Sequence, residues 1–198
     1  LNASNFMEFQ LNEYGFVRVA VLSPEIRIAA IDFNLNEIKR LINLACEKDA
    51  QIILFPELSI TGYSCGDLFF QNELINKVRN ALIDLCDFSK NLNASIIVGA
   101  PIFNAGKLYN TAVFINSGEI KGIVPKSYLP NYNEFYEKRW FFSAFDSQYD
   151  YIEFQHNSIP FGNDLIFSSN QYTDLKIGIE ICEDLWAVSP ISSKLALT

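Results

Sequence analysis

Three apolar runs in the sequence stop on a residue type that can do chemistry. IILFPE ends on Glu57, KGIVPK on Lys126 and IGIEIC on Cys182. Brought together, a carboxylate, an ammonium and a thiol suffice for thiol-mediated amide hydrolysis. The thiolate attacks the carbonyl carbon, the carboxylate takes a proton and returns it, and the ammonium with a backbone N–H steadies the oxyanion. Each residue also has an ordinary reading. A strand-end Glu is usually solvated, a Lys there often belongs to a turn, and a free Cys is usually an inert packing group. Position favours chemistry at Cys182. LKIGIEICEDLW (175–186) reads as a strand running straight into a helix, with Glu180, Glu183 and Asp184 close by, so the thiol stands beside the free N–H groups of a first helical turn.

For the three residues to meet, their strands should share one sheet with those ends on one rim, where open α/β sheets carry their sites. The required elements can be read along the chain. FVRVAVLSP (16–24) alternates like a strand, and FNLNEIKRLINLACEKDA (33–50) puts Ile38, Leu41, Ile42 and Ala45 on one helical face. QIILFPEL (51–58) is a continuous apolar run suited to a strand covered on both sides. LFFQNELINKVRNALIDLCDFSKNL (68–92) reads as a second helix and ASIIVGAPIF (94–103) as the next buried strand. LYNTAVFIN (108–116) and EIKGIVP (119–125) read as a hairpin turning through Ser117-Gly118. The stretch 126–150 is rich in Tyr, Phe and Trp without clear period, which marks a functional loop rather than a disordered one. Further strands are predicted near 151–155 and 164–168 and over 175–181. The pattern is α/β in a single domain.

Composition bounds the function. With 198 residues, 49% hydrophobic and 14% aromatic, the chain can bury one substantial core. A formal charge of −8 and no dense run of Lys or Arg argue against nucleic acid and against a membrane surface as partners. No apolar stretch approaches the roughly 20 residues needed to span a bilayer, and LNASNFMEFQ is too polar for a signal peptide, so a cytoplasmic protein is expected. The only methionine is Met7, which suggests that translation starts there and that residues 1–6 are vector-derived or an upstream extension. Cys46, Cys65, Cys86 and Cys182 are widely spaced, with no C-x-x-C pair and a single histidine, His156. Neither a metal site nor a disulfide framework is expected, and Cys46 and Cys86 read as core positions on helix faces. A Cys–His hydrolase would have to use His156, whose setting in EFQHNSIP has nothing special about it.

The motifs around the three residues resemble the nitrilase superfamily of carbon–nitrogen hydrolases, whose catalytic group is Glu, Lys and Cys. FPELSITGY carries the Glu, PKSYLPNYNEFYEKRWF the Lys and IEICEDLW the Cys, and the resemblance runs from residue 16 over nearly the whole chain. GYSCGDLF (62–69), PKSYLPNYNEFYEKRWF (125–141) and IPFGNDLIF (159–167) resemble one branch, the glutaminase domains of glutamine-dependent NAD+ synthetases. Such domains hydrolyse glutamine and pass ammonia to a second domain that amidates adenylated nicotinic acid.

The resemblance implies a four-layer αββα sandwich with Cys182 as nucleophile, Glu57 as general base and then acid, and Lys126 as oxyanion stabiliser. It implies that Glu134 is the superfamily's second glutamate, supporting the Lys, and that Tyr63, Tyr132, Glu183 and Trp186 line a glutamine pocket. It implies no cofactor for the glutaminase step, with ATP and Mg serving the synthetase domain. No glycine-rich ATP-pyrophosphatase motif of that domain occurs in these residues. The implied partners are glutamine, the synthetase domain of the same polypeptide and further copies of the full-length enzyme. Because the family's domain continues past the cysteine, residues 7–198 read as its N-terminal part, truncated on the C-terminal side and a poor glutaminase alone. Two alternatives stay open: a free-standing nitrilase-type amidase or carbamoylase with a different acyl pocket, and a non-catalytic binding module that keeps the fold.

Overall fold

The computed structural model describes residues 15–170 and 174–198. The expected start at Met7, with residues 1–6 foreign, falls outside them.

Alternating burial along the strands decides the layering. β1 (Val19–Val21), β2 (Ile52–Leu54), β3 (Ser95–Asn104), β4 (Lys107–Asn116) and β5 (Glu119–Pro125) form one sheet in that order. Successive side chains on a strand point to opposite faces. Accordingly Ile53, Ile96, Val98, Ala100, Ile102, Val113 and Ile115 face one core. Their neighbours Ile52, Ile97, Ala112, Phe114 and Val124 face another. The first core is closed by two amphipathic helices. α1 (Ile31–Cys46) contributes Leu35, Ile38, Ile42 and Ala45, and α2 (Asn72–Ser89) contributes Leu74, Val78, Leu82 and Leu85. Cys86 is buried on α2, while Cys46 is half-buried at the end of α1. A 3-10 turn, Gly66–Phe70, leads into α2.

β1, β2 and β3 run parallel, whereas β3, β4 and β5 alternate in direction. Two reversals leave β5 parallel to β2, so the C-terminal ends of these two strands share one rim. The β3–β4 connection is a second tight hairpin, through Ala105-Gly106, and both it and Ser117-Gly118 hold two successive residues at positive φ. That geometry matches the strand twist and favours glycine at the second position.

The second core is covered by a smaller layer. β8 (Ile166–Ser168) and β9 (Lys176–Gly178) pair antiparallel, and Leu165, Phe167, Ile177, Ile179 and Ile181 pack onto the open face of the main sheet. Phe167 stacks on Phe114 with ring centroids 4.2 Å apart. The run 175–181 therefore does not join the main sheet as the sequence suggested: its isoleucines bury face-on against the sheet instead of extending its edge. A third hairpin, β6 (Tyr151–Phe154) with β7 (Asn157–Pro160), lies beside β5 through a bridge between Ile123 and Phe161. Strand β7 was not foreseen, because its turn, Gln155-His156, takes positive φ without a glycine. His156 occupies that exposed turn, and the charges that act most on Cys182 do not include it.

Candidate active site

Lys126 is the first residue past β5, and its side chain is fully buried. Its ammonium donates to Glu57 Oε1 and to Glu137 Oε1, each at 2.7 Å. Asn110, on the intervening strand β4, donates to the same Glu57 oxygen at 2.5 Å, and the Tyr63 hydroxyl donates to Glu137 Oε1 at 2.8 Å. A buried ammonium is tolerated only when paired and hydrogen-bonded. Burial works against the charge on Lys126, but the two carboxylates outweigh it and hold the pKa above the ordinary lysine value. Burial likewise pushes the Glu137 carboxyl up, against the pull of Lys126. The Tyr63 phenol is also pushed up, by burial and by its bond to Glu137. Glu137 Oε2 is buried without a hydrogen-bond partner among the described residues.

Glu57 reaches this cluster because its turn lies directly on β3. A Cβ at Gly99 would meet Leu58 N at 2.2 Å, Pro56 O at 2.6 Å and the Glu57 carbonyl carbon at 2.8 Å. Only glycine permits that approach. The turn is tied down there by Ile60 N–H donating to Gly99 O at 3.1 Å and Gly99 N–H donating to Ser59 Oγ at 3.3 Å.

The carboxylate beside Lys126 is Glu137, not Glu134. Glu134 is exposed in the loop, whereas Glu137 opens the short helix α3 (Glu137–Trp140) and is 1% exposed. Both lie a few residues past Lys126 in NEFYEK, so spacing could not separate them. α3 is a single turn followed at once by extended backbone at Phe141, so no helical period marked Glu137 in the sequence. The helix is also pinned from outside: Arg139 donates to both Asp67 oxygens at 2.7 Å, and Trp140 Nε1 donates to Asp67 Oδ1 at 3.0 Å.

Cys182 arrives from the other layer. After β9 the chain buries Ile179 and Ile181, then turns at Cys182 with φ 48° and ψ −101° into α4 (Glu183–Trp186). A non-glycine residue rarely adopts this backbone, and such strain persists only where the surroundings enforce it. The thiol is exposed. Burial and then the charge of Glu57 push its pKa up, with Lys126 opposing and Glu137 and Glu183 adding smaller upward pushes. The negative charge of Glu57 thus favours the protonated form of the thiol.

At the mouth, the Tyr132 hydroxyl donates to the Glu183 carboxylate, 3.1 and 3.0 Å from its two oxygens. Tyr132 and Tyr63 both pack edge-on against Phe135, at 5.7 and 6.5 Å between centroids. Tyr63, Tyr132 and Glu183 are close enough to the exposed thiol to interact with it electrostatically, while Trp186 is 76% exposed on α4 and, like Glu134, stands outside this hydrogen-bonded network. Asn110, Glu137 and Asp184 belong to the site's framework and were missed in the sequence. Asp184 is 1% exposed, with its carboxylate on backbone N–H groups of residues 127, 128 and 181.

Comparison with known proteins bears on this arrangement. Residues 18–189 match the model of the carbon-nitrogen hydrolase family. The glutamine-dependent NAD(+) synthetase of Mycobacterium tuberculosis is 36% identical over 185 residues, covering 93% of this chain and 27% of that protein. The chain thus spans about a quarter of the length of the curated relatives it matches. Among solved structures, a glutamine-dependent NAD(+) synthetase from Cytophaga hutchinsonii aligns with a TM-score of 0.75 at 27% identity, over 84% of this chain and 28% of that one. An amidase of the nitrilase superfamily from Nesterenkonia AN1 aligns at 0.67 and 18% identity, over 86% of this chain and 57% of that one, a likeness of fold. The helix–sheet–sheet layering described above is the nitrilase fold, and the chain belongs to the carbon–nitrogen hydrolase family.

Proposed function

We propose that this chain hydrolyses the side-chain amide of glutamine through a thioester on Cys182 and supplies the ammonia to a synthetase domain of the same polypeptide. The observation that carries the reading is the Glu57–Lys126 pair at 2.7 Å, whose two charges both act on the Cys182 thiol. Glu57 takes the thiol proton as sulfur attacks the amide carbon, and the oxyanion forms facing Lys126. Glu57 returns the proton to the departing nitrogen, releasing ammonia and leaving the thioester. It then takes a proton from water, which attacks the thioester and frees glutamate and the thiol. Glu183, which accepts from Tyr132, pairs with the substrate's α-ammonium in this reading. Glu137 keeps Lys126 charged and oriented. ATP and magnesium would serve the second, amidating reaction and take no part in these steps. A cytoplasmic setting, where thiols stay reduced, suits the free Cys182.

The test uses the full natural protein. Treatment with 6-diazo-5-oxo-norleucine should label Cys182 alone, and Cys182→Ala should abolish glutamine hydrolysis while sparing synthesis from added ammonia. An adduct on Cys46, Cys65 or Cys86, or a preference for simple aliphatic amides over glutamine, would overturn the reading.

A further inference from the structure

The two halves of the site belong to different sheets. Lys126 leaves β5 of the five-stranded sheet and Cys182 follows β9 of the two-stranded one, so no ladder of strand hydrogen bonds sets the spacing between them. Tyr132 bonded to Glu183 and the Tyr128 hydroxyl donating to Ser189 O bridge that gap at the exposed side, and one buried side chain crosses it beneath them. Asp184 Oδ1 accepts from Ser127 N–H at 3.0 Å and Tyr128 N–H at 2.7 Å, and its Oδ2 accepts from Ile181 N–H at 3.1 Å. A single buried carboxylate therefore grips the two residues directly after Lys126 and the residue directly before Cys182.

A cap for its own helix would not need this arrangement. α4 is one turn long, and two of the three donors come from a segment 56 and 57 residues away. The third bond fixes the peptide that enters the strained turn at Cys182, where Asp184 N–H also donates to Ile181 O at 3.1 Å. The positive-φ conformation at Cys182 needs such enforcement.

We propose that Asp184 is a positioning residue that sets the distance and direction of the Cys182 thiol relative to the Glu57–Lys126 pair. The proposal rests on the reading of Cys182 as nucleophile. Its chemistry is indirect: Asp184 is sequestered by backbone and touches no substrate. A reacting atom displaced by about 1 Å loses on the order of 10²-fold in rate, and that is the effect expected when the link is cut.

Two variants of the full natural protein separate positioning from bulk stability. Asp184→Ala removes all three bonds. Asp184→Asn keeps an oxygen for Ser127 and Tyr128 but turns an amide NH2 toward the Ile181 N–H, which cannot accept it. Asp184→Ala should lower kcat for glutamine about 10²-fold with KM moved less than about threefold, and Asp184→Asn should fall between it and the parent. Alkylation of Cys182 by iodoacetamide, followed against pH, gives a readout independent of substrate. The thiol faces Glu57, Lys126, Glu137, Glu183, Tyr63 and Tyr132. Released from that field, it should titrate closer to an ordinary exposed thiol in both variants. If Asp184→Ala does not fold, Asp184→Asn decides. A folded variant with kcat within about twofold of the parent and an unshifted alkylation profile overturns the proposal, as does a kcat loss equal to the loss of folded protein. A parent that alkylates at Cys182 yet never turns over glutamine refutes the proposed function instead, and the alkylation comparison still judges Asp184.

Discussion

Lys126 is wholly buried at the end of a five-stranded sheet, its ammonium fixed by two carboxylates at 2.7 Å. Cys182 is exposed on a strained turn between a three-residue strand and a four-residue helix. One half of the site lies inside the core; the other stands at the surface, held from beneath by the buried Asp184 carboxylate and the buried Ile179 and Ile181. The difference follows the work each half would do. Charges that stabilise a transition state act best when fixed and dehydrated beforehand. A nucleophile that must bond to substrate, and later be reached by water, has to stand at the opening.

The sharpest way to break this comparison is to remove each centre and read stability and turnover separately. Lys126→Met leaves Glu57 and Glu137 buried against one another with no cation, and should cost about 3–5 kcal/mol in urea unfolding as well as glutamine turnover. Cys182→Gly should abolish turnover equally but gain about 1 kcal/mol of stability, because glycine accepts φ 48° without strain. Equal destabilisation by the two changes would contradict the division into a core-held and a surface-held half.

A smaller effect distinguishes the two glutamates of the aromatic loop. Glu137→Gln keeps an oxygen for Lys126 but removes a negative charge, and should lower kcat by about 10-fold to 10²-fold. Glu134→Gln serves as its exposed counterpart, expected to stay within about twofold of the parent. Steady-state kinetics on the pair would reverse the assignment if Glu134→Gln were the damaged variant.

The gentlest test is a titration. Because burial and Glu57 raise the Cys182 pKa, its alkylation by iodoacetamide should increase with pH through a midpoint above that of an ordinary thiol, about 8.5. Glu57→Gln deletes the negative charge acting most strongly on the thiol, so the midpoint should move down. An unchanged or higher midpoint would mean that the thiol does not sense Glu57.

Much of the scaffold was legible in the sequence because burial leaves a period. α1 and α2 carry apolar residues at helical spacing, and β2 to β5 are apolar runs bounded by turns, so the strand ends bearing Glu57 and Lys126 could be found before the sheet was seen. The pairing of the Cys182 strand could not. An apolar run records that both its faces are covered, but not whether it extends a sheet or lies across one. Glu137 escaped for a related reason: α3 is a single turn, too short to show a period, and Asn133 at positive φ redirects the chain just before it. Asp184 was visible beside Cys182 as a charge, yet two of its three partners lie more than fifty residues back, and nothing local distinguishes a carboxylate that binds backbone from one that meets water.

Gly99 has no side chain and no part in the proposed chemistry, yet its place beneath the Glu57 turn restricts how this chain can drift. Every amino-acid replacement at a glycine adds at least a Cβ, so no gradual series of substitutes exists, and the first mutational step is already the largest. A comprehensive substitution scan would therefore rank position 99 among the residues that touch substrate. Silence there would reflect a displaced Glu57 carboxylate, and the fitness map would extend from the Glu57 turn to the strand beneath it.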